Sequence, residues 1–135
     1  MELSTAGRKM RRVFDALVRE RGLTLSRART LLLLSRHPLM NQTELAGALE
    51  IEKPTVVGLL DGLEKQGLIT RNAVDGDRRA KQITLTPAAS AQVVELEAIG
   101  EYLRSTMLRG IDEADLAVAA DVLRRLIRNI EPRPS

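Results

Sequence analysis

Positively charged side chains are the groups in this sequence best suited to chemistry. Arg78, Arg79 and Lys81 lie close together beside two acids, Asp75 and Asp77. Guanidinium groups bind phosphate through paired hydrogen bonds, and ammonium groups bind it as point charges. Because the two acids offset two of the bases, the orientation of the bases matters more than their number. Seventeen of the 21 basic residues are arginine, which suits phosphate contacts and could equally reflect genome base composition.

Catalysis has few candidate residues. The chain has no cysteine and one histidine, His37, and its acids lie mostly at predicted helix starts or on helix surfaces. These residues therefore offer no ready combination of a nucleophile with its base, of paired acids in a cleft or of metal ligands. We expect no catalytic site, no metal and no cofactor, and the lack of cysteine excludes disulfides and thiol sensing.

Size and composition indicate one compact helical domain, or one domain with an extension. The 135 residues are 44% hydrophobic, and the aromatic residues are Phe14 and Tyr102. A core of aliphatic side chains and methionine favours helices over a sheet sandwich. No apolar run approaches the ~20 residues of a membrane helix, so we expect a cytoplasmic protein with no membrane partner.

Basic charge is concentrated at the start of the chain. Residues 1–40 contain nine basic and three acidic residues, whereas residues 41–87 contain six and seven. The net charge of +3 permits a nucleic-acid partner without requiring one.

Two helices are predicted before Pro38. Apolar residues at helical spacing predict an amphipathic first helix that ends near Gly22. Thr24 or Ser26 can cap the second helix, which ends at Pro38. Residues 31–34 are four successive leucines and cover every face of this helix, so we expect it to lie centrally.

A helix-turn-helix is predicted next. Asn41 and Glu44 fit a reciprocal capping pattern that opens a short helix. Pro54 starts a second helix, which Gly67 ends. Two short helices joined by a tight turn are typical of this motif.

After Gly67 the spacing of apolar residues changes to the alternation typical of strands, and after residue 86 it returns to helical spacing. Residues 68–71 and 82–86 are predicted as strands around a turn at 74–79. Thr86 caps a helix that runs to Gly110, and Asp112, with Asp115 at the third position, caps the last helix. The tail, residues 132–135, is expected to be disordered.

The predicted fold is mainly α with a small β-hairpin: a winged helix-turn-helix flanked by N- and C-terminal helices. The hairpin is too small to be stable alone and must pack on the helix pair. We assign residues 23–87 to the winged helix-turn-helix, and residues 1–22 and 88–131 to a helical dimerisation region.

The run KPTVVGLLDGLEKQGLITRNAVDGDRRAKQITLTPAA, residues 53–89, resembles the MarR family of bacterial transcriptional regulators, in the branch with a SlyA-like wing. The resemblance implies a homodimer whose winged lobes bind a palindromic operator in double-stranded DNA, with a repressor as the expected type. It places the second helix of the motif in the major groove. Its expected DNA-contacting residues are Lys53, Pro54, Thr55, Val57 and Gly58, although relatives often carry arginine where this chain has Gly58.

The resemblance also assigns roles to the hairpin, which is the wing of this fold. Arg79 enters the minor groove, Asp77 holds the hairpin or the guanidinium, and Arg78 and Lys81 contact phosphates. Further phosphate contacts are expected at the start of the first motif helix, from Asn41, Gln42 and Thr43. Arg71 either contacts the DNA backbone or pairs with Asp61.

Apolar surface on the first and last helices exceeds what one winged lobe can cover, which predicts a dimer interface. The interface residues are expected to be Met10, Phe14, Leu17, Leu116, Leu123, Leu126, Ile127 and Ile130. A monomeric core is the alternative.

A small aromatic or phenolic effector is implied by the same resemblance. The candidate pocket residues are Met10, Phe14, Arg27, Ala28, His37 and Tyr102. His37 could instead be a helix-end capping group.

A protein-interaction module or anti-regulator that no longer binds DNA is the alternative function. Gly58, which can donate no side-chain contact to a base, and the near-neutral charge of residues 41–87 favour it.

Overall fold

A computed structural model describes residues 1–74 and 77–131 of the chain, and side-chain surroundings for residues 1–72 and 82–131. Within these ranges, helices and one antiparallel hairpin form the mainly α fold that the sequence predicts. The elements are α1 (Glu2–Arg19), α2 (Leu25–Arg36), α3 (Gln42–Leu49), α4 (Lys53–Lys65), β1 (Ile69–Val74), β2 (Asp77–Leu85), α5 (Pro87–Met107) and α6 (Glu113–Ile130).

Helix α2 is the centre of the core. It packs against α1, α3, α4 and β2. Leu31 and Leu34 are buried, and Leu32 and Leu33 pack half-buried against the same cluster. The central position predicted from four successive leucines is therefore confirmed.

Side-chain caps begin two of the core helices. Thr24, not Ser26, caps α2, because its Oγ1 accepts a hydrogen bond from the Arg27 amide at 3.2 Å. At α3 the predicted capping box is present: Asn41 Oδ1 accepts from the Glu44 amide at 2.8 Å, and Glu44 Oε1 accepts from the Asn41 amide at 3.3 Å. These bonds satisfy amides that the first turn of a helix leaves without partners.

Two of the predicted helix starts need correction. Asp112 occupies the position before α6 but makes no side-chain capping hydrogen bond. Instead, Glu113 and Asp115 bring negative charge to the first turn, where the helix dipole favours it. Helix α4 begins one residue earlier than predicted, at Lys53, so Pro54 lies inside its first turn.

The hairpin strands are longer than predicted. Ile69 pairs with Leu85 and Arg71 with Ile83, and the register breaks between Ala73 and Val74. Strand pairing continues through polar residues because the hydrogen bonds between strands join backbone groups and do not require apolar side chains. The turn is therefore shorter than the one predicted for residues 74–79. The tip, Asp75 and Gly76, and the predicted disordered tail, residues 132–135, lie outside the described residues.

By packing, the chain divides into two compact units. Met1–Leu103 contains the core, the hairpin and most of α5, and the second unit begins at Arg104 and contains α6. In the first unit, Asp15 of α1 accepts a hydrogen bond from the Leu25 amide at 3.2 Å and pairs with Arg19 at 2.7 Å. The functional division at residues 22 and 88 stays a prediction.

Candidate nucleic-acid interface

Helix α4 has one buried face and one open face. Val56, Leu60 and Leu63 are completely buried against the core. The opposite face presents Lys53, Pro54, Thr55, Val57 and Gly58, all exposed, and Val57 keeps 40% of its surface in solvent. The five residues predicted to contact DNA from this helix thus share one accessible surface.

Gly58 makes this surface flat. A Cβ atom built at residue 58 would have no other heavy atom within 4 Å, so packing within the chain does not require glycine there. The helix backbone is consequently open to close approach by a partner at this position.

Gly62, one turn later, has a structural reason. A Cβ atom there would overlap the guanidinium group of Arg27, which lies over the helix backbone. Arg27 Nη1 also donates to Gln66 Oε1 at 2.8 Å, and Gln66 Nε2 donates to the Gly22 carbonyl at 3.0 Å. The glycine therefore makes room for a link between α4 and the start of α2.

The start of α3 is arranged less simply than predicted. Thr43 is exposed and Gln42 is half-buried, so both lie at an accessible helix start. The side-chain oxygen of Asn41, Oδ1, accepts the capping-box hydrogen bond from the Glu44 backbone amide. The side-chain NH₂ of Asn41 therefore remains as the group that can donate to a phosphate. Glu44 brings a carboxylate to the same end of the helix.

Arg71 forms ion pairs within the chain. Its Nη2 donates to Asp61 Oδ1 at 2.5 Å, and its Nε donates to Glu64 Oε2 at 2.6 Å. The hydrogen bond to Asp61 raises the pKa of Arg71 above its ordinary value, with Glu64 adding to the effect and partial burial opposing it. Of the two alternatives left by the sequence, the structure shows the ion pair.

The wing residues can be located only by their backbone. Asp77, Arg78, Arg79 and Lys81 all lie on β2, and Asp77 pairs with Val74 at the register break. Their side chains lie outside the described residues, so their DNA-binding roles stay predictions.

Both helices predicted to form the dimer interface carry exposed apolar surface. On α1, Met10 is 46% exposed, and Phe14 and Leu17 are half-buried. On α6 no residue is buried: Leu123, Leu126, Ile127 and Ile130 are exposed, and Leu116 is partly covered. Val118 and Val122 of α6 and Leu3 and Val13 of α1 are further exposed residues, absent from the prediction although the helical spacing could have identified them.

The candidate effector residues have different surroundings. Ala28 is buried in the core, Arg27 lies against α4, and Met10 and Tyr102 are exposed. His37 follows α2 and lines a cavity of about 350 Å³ with Pro38, Met40 and others. The shared pocket stays a prediction.

Sequence reasoning missed Glu64 and Gln66, which bind Arg71 and Arg27 next to the open face of α4. Asp61 and Glu64 are spaced three apart on one helix, which places their carboxylates on one side of α4. That spacing, opposite an arginine on the next strand, was the available signal.

Neither a metal site nor a membrane helix is found in the described part of the chain. The described residues contain no group of three or more side chains able to hold a metal ion. Nor does any helix within those ranges have the length and apolarity needed to cross a bilayer.

The architecture defines a winged helix-turn-helix protein, with α3 and α4 as the motif and the hairpin as the wing. A MarR family model matches residues 23–81. The transcriptional regulator PA3341, whose crystal structure is known, is 43% identical in sequence to this chain. The match covers 97% of this chain and 96% of that one, with a TM-score of 0.87. The chain belongs to the MarR family. It is therefore a transcriptional regulator, and family membership confirms that it is not an enzyme.

More distant structures share the fold. MepR from S. aureus, solved in complex with DNA, is 24% identical over 96% of this chain and 94% of its own, with a TM-score of 0.86. A putative MarR family regulator from Listeria monocytogenes, solved with a 26mer DNA, is 21% identical over 96% of this chain and 86% of its own, with a TM-score of 0.88.

Proposed function

We propose that the protein binds a palindromic operator in double-stranded DNA as a homodimer and represses transcription from it. The open face of α4, a helix-turn-helix surface with no packing role of its own, is the observation that carries the proposal. The MepR and Listeria structures support it, since both relatives were solved with DNA. As a regulator of bacterial DNA, it would act in the cytoplasm.

In the proposed complex α4 is the recognition helix. Lys53 lies at its start, where it can reach a phosphate or the O6 and N7 atoms of guanine. Thr55 can contact a phosphate or a base edge, and Val57 can contact a thymine methyl group. Gly58 brings the backbone close to the groove instead of adding a side-chain contact.

The wing supplies the second contact. Arg79 is proposed to enter the minor groove, where the negative potential attracts arginine, while Arg78 and Lys81 contact phosphates. Residues 41–87 have nearly balanced charge, so affinity depends on where these few bases lie. Arg71 pairs with two of the acids in this segment, Asp61 and Glu64.

Dimerisation is proposed through the apolar surfaces of α1 and α6. Helix α6 has no buried residue within its own chain, which leaves its apolar stripe for a second copy. A two-fold dimer places two recognition helices about 34 to 36 Å apart, one turn of DNA.

Selection from random duplexes, followed by fluorescence anisotropy, tests DNA binding. We expect a palindrome to be enriched, and log K to fall against log salt by ~0.9 per neutralised phosphate. Arg79→Ala should weaken binding about tenfold or more, as expected for loss of a groove contact, while the dimer persists. Arg109→Ala, which removes an exposed arginine outside the motif, is the charge-matched control.

Two results would contradict the proposal. If no duplex is enriched, the protein-interaction alternative is favoured. If Arg79→Ala and Arg109→Ala bind equally well, the wing assignment is wrong.

A small aromatic or phenolic effector that releases the DNA is the remaining part of the proposal. Its support is the family alone, because the candidate pocket residues do not line one common cavity: Ala28 is buried in the core, whereas Met10 and Tyr102 are exposed. Titration of phenolic acids into the protein–DNA complex tests it, and unchanged affinity removes the effector role for those compounds.

A further inference from the structure

One face of strand β1 packs against the core, first through the apolar Ile69 and then, closer to the wing tip, through the polar Arg71. Ile69 is 1% exposed and pairs with Leu85. Arg71, two residues further along, pairs with Ile83. Because side chains alternate along a strand, Arg71 lies on the same face as Ile69. On that face, β1 contacts the domain through an apolar side chain at residue 69 and through an ion pair at residue 71.

The ion pair joins β1 to α4 at two points. Arg71 Nη2 and Nε donate to carboxylates on Asp61 and Glu64, which lie three residues apart on α4. The arginine side chain is only 16% exposed. A planar guanidinium that holds two carboxylates restricts both distance and angle, which one ammonium cannot do.

The hairpin depends on such an attachment. A two-stranded sheet is not stable by itself and takes its orientation from what it packs against. Val74 and Asp77 mark the end of described pairing, and Arg78 and Arg79 lie beyond Arg71 on the way to the tip. A small change in angle at Arg71 is therefore amplified at the residues proposed to contact DNA.

We propose that Arg71 is a positioning residue for DNA recognition: by bridging Asp61 and Glu64 it fixes the angle between the wing and the recognition helix. This inference rests on the proposed function. In it Arg71 makes no contact with DNA, in contrast to the phosphate contact that the sequence left open. It acts through Arg79, which must reach the minor groove while α4 occupies the major groove.

Stability measurements alone would not reveal this role. Asp61 and Glu64 are 53% and 44% exposed, so solvent screens the pairs and they contribute little to the free energy of unfolding. Arg71→Met should consequently fold, which thermal unfolding checks. Arg71→Lys retains the charge but not the two-point bridge. Its hairpin amide exchange rates and its DNA affinity should lie between those of wild type and Arg71→Met.

Hydrogen exchange tests the attachment without DNA. In Arg71→Met we expect the backbone amides of residues 69–74 and 82–85 to exchange about tenfold faster, while those of α2 are unchanged. Arg27→Met is the matched control, because Arg27 also contacts α4 but on the side of Gly62 and Gln66. Hairpin exchange equal to wild type in Arg71→Met would overturn the inference, whatever happens with DNA.

A double-mutant cycle tests the effect on recognition. If Arg71 positions the wing, Arg79→Ala should cost about tenfold less affinity in the Arg71→Met background than in wild type, because the misplaced wing has already lost its contact. Additive losses would instead mean that Arg71 only neutralises two acids. In that case Asp61→Asn with Glu64→Gln would also restore the affinity of Arg71→Met.

The binding selection and the double-mutant cycle together distinguish failure of this inference from failure of the proposed function. Wild-type protein that binds no selected duplex refutes DNA recognition, and with it the recognition role of Arg71. Duplex binding combined with an additive cycle refutes the positioning role alone.

Discussion

Gly58 and Gly62 lie about one turn apart on α4 and have opposite surroundings. The position of a Cβ at 58 is empty, whereas at 62 it is occupied by the Arg27 guanidinium. Glycine lowers the stability of a helix by ~1 kcal/mol relative to alanine, since it loses more backbone entropy on folding. The same substitution should therefore have different effects at the two sites.

Gly58→Ala should raise the free energy of unfolding by about 0.5–1 kcal/mol. Gly62→Ala should raise it less, because the new methyl group displaces Arg27 and weakens its hydrogen bond to Gln66, an interaction contributing ~1 kcal/mol. Urea denaturation of the two variants measures the difference. Equal gains would mean that Arg27 moves aside without cost.

Asp15 gives the chain an acid-sensitive contact. The hydrogen bond from Arg19 lowers the pKa of Asp15 below its ordinary value of 3.8, and the Leu25 amide adds to the effect, while desolvation opposes it. A lowered carboxyl pKa adds stability that is complete above the unfolded pKa and is lost as the pH falls through the folded one. The loss must therefore occur below pH 3.8.

Asp15→Asn should remove this pH dependence. Its free energy of unfolding should lie below that of wild type at neutral pH, and the gap should shrink as the pH falls below 3.8. Asp121→Asn, which removes an exposed pair with Arg125 without a backbone contact, is the control and should cost less at neutral pH. A gap that stays constant down to pH 2 would contradict the assignment.

At the level of elements, the sequence predicts what depends on local chemistry. Asn41 and Glu44 reveal a capping box by their spacing, and four leucines reveal a central helix. Glu50 ends α3 with a left-handed φ of 57°, a conformation that its residue type does not indicate. The Arg27–Gln66 contact joins residues 39 apart in the chain, so no local pattern could show it.

Thr86 joins the hairpin end to α5 through one hydroxyl group. Its Oγ1 accepts from the Ala89 amide at 3.3 Å and donates to the Gly67 carbonyl at 2.7 Å. Thr86→Val keeps the shape and loses both bonds, so it should lower the free energy of unfolding by about 1–2 kcal/mol. Thr84→Val, at an exposed strand position, is the matched control and should be close to neutral.

Thermal or urea denaturation of both variants provides the measurement. A Thr86→Ser variant retains the hydroxyl group and should recover most of the loss. If Thr86→Val is as stable as Thr84→Val, the hydroxyl contributes nothing to the junction.

At the level of the whole molecule, the proposed dimer depends on the apolar stripe of α6. Leu116, Leu123, Ile127 and Ile130 lie on one side of this helix, and Asp121, Arg125 and Arg128 lie on the other. Ile127→Asp should shift the protein from dimer to monomer at micromolar concentration, because a desolvated charge without a partner is costly. Sedimentation equilibrium measures the shift.

Arg128→Asp places the same aspartate on the polar side of α6 and should remain dimeric. A monomeric wild type, or equal dissociation of the two variants, would contradict the proposed interface. The sequence predicted the apolar surplus, but only the structure shows that no residue of α6 is fully buried within its own chain.

If the proposed dimer forms, the exposure of α6 also makes the folding of this helix depend on the concentration of the protein. An 18-residue helix that buries no residue is only marginally stable in water. If a second copy covers α6, helix formation and association occur together, and the stability of the regulator rises with the amount of it in the cell. Dilution calorimetry should then show a larger heat-capacity change than rigid surfaces of the same area would give.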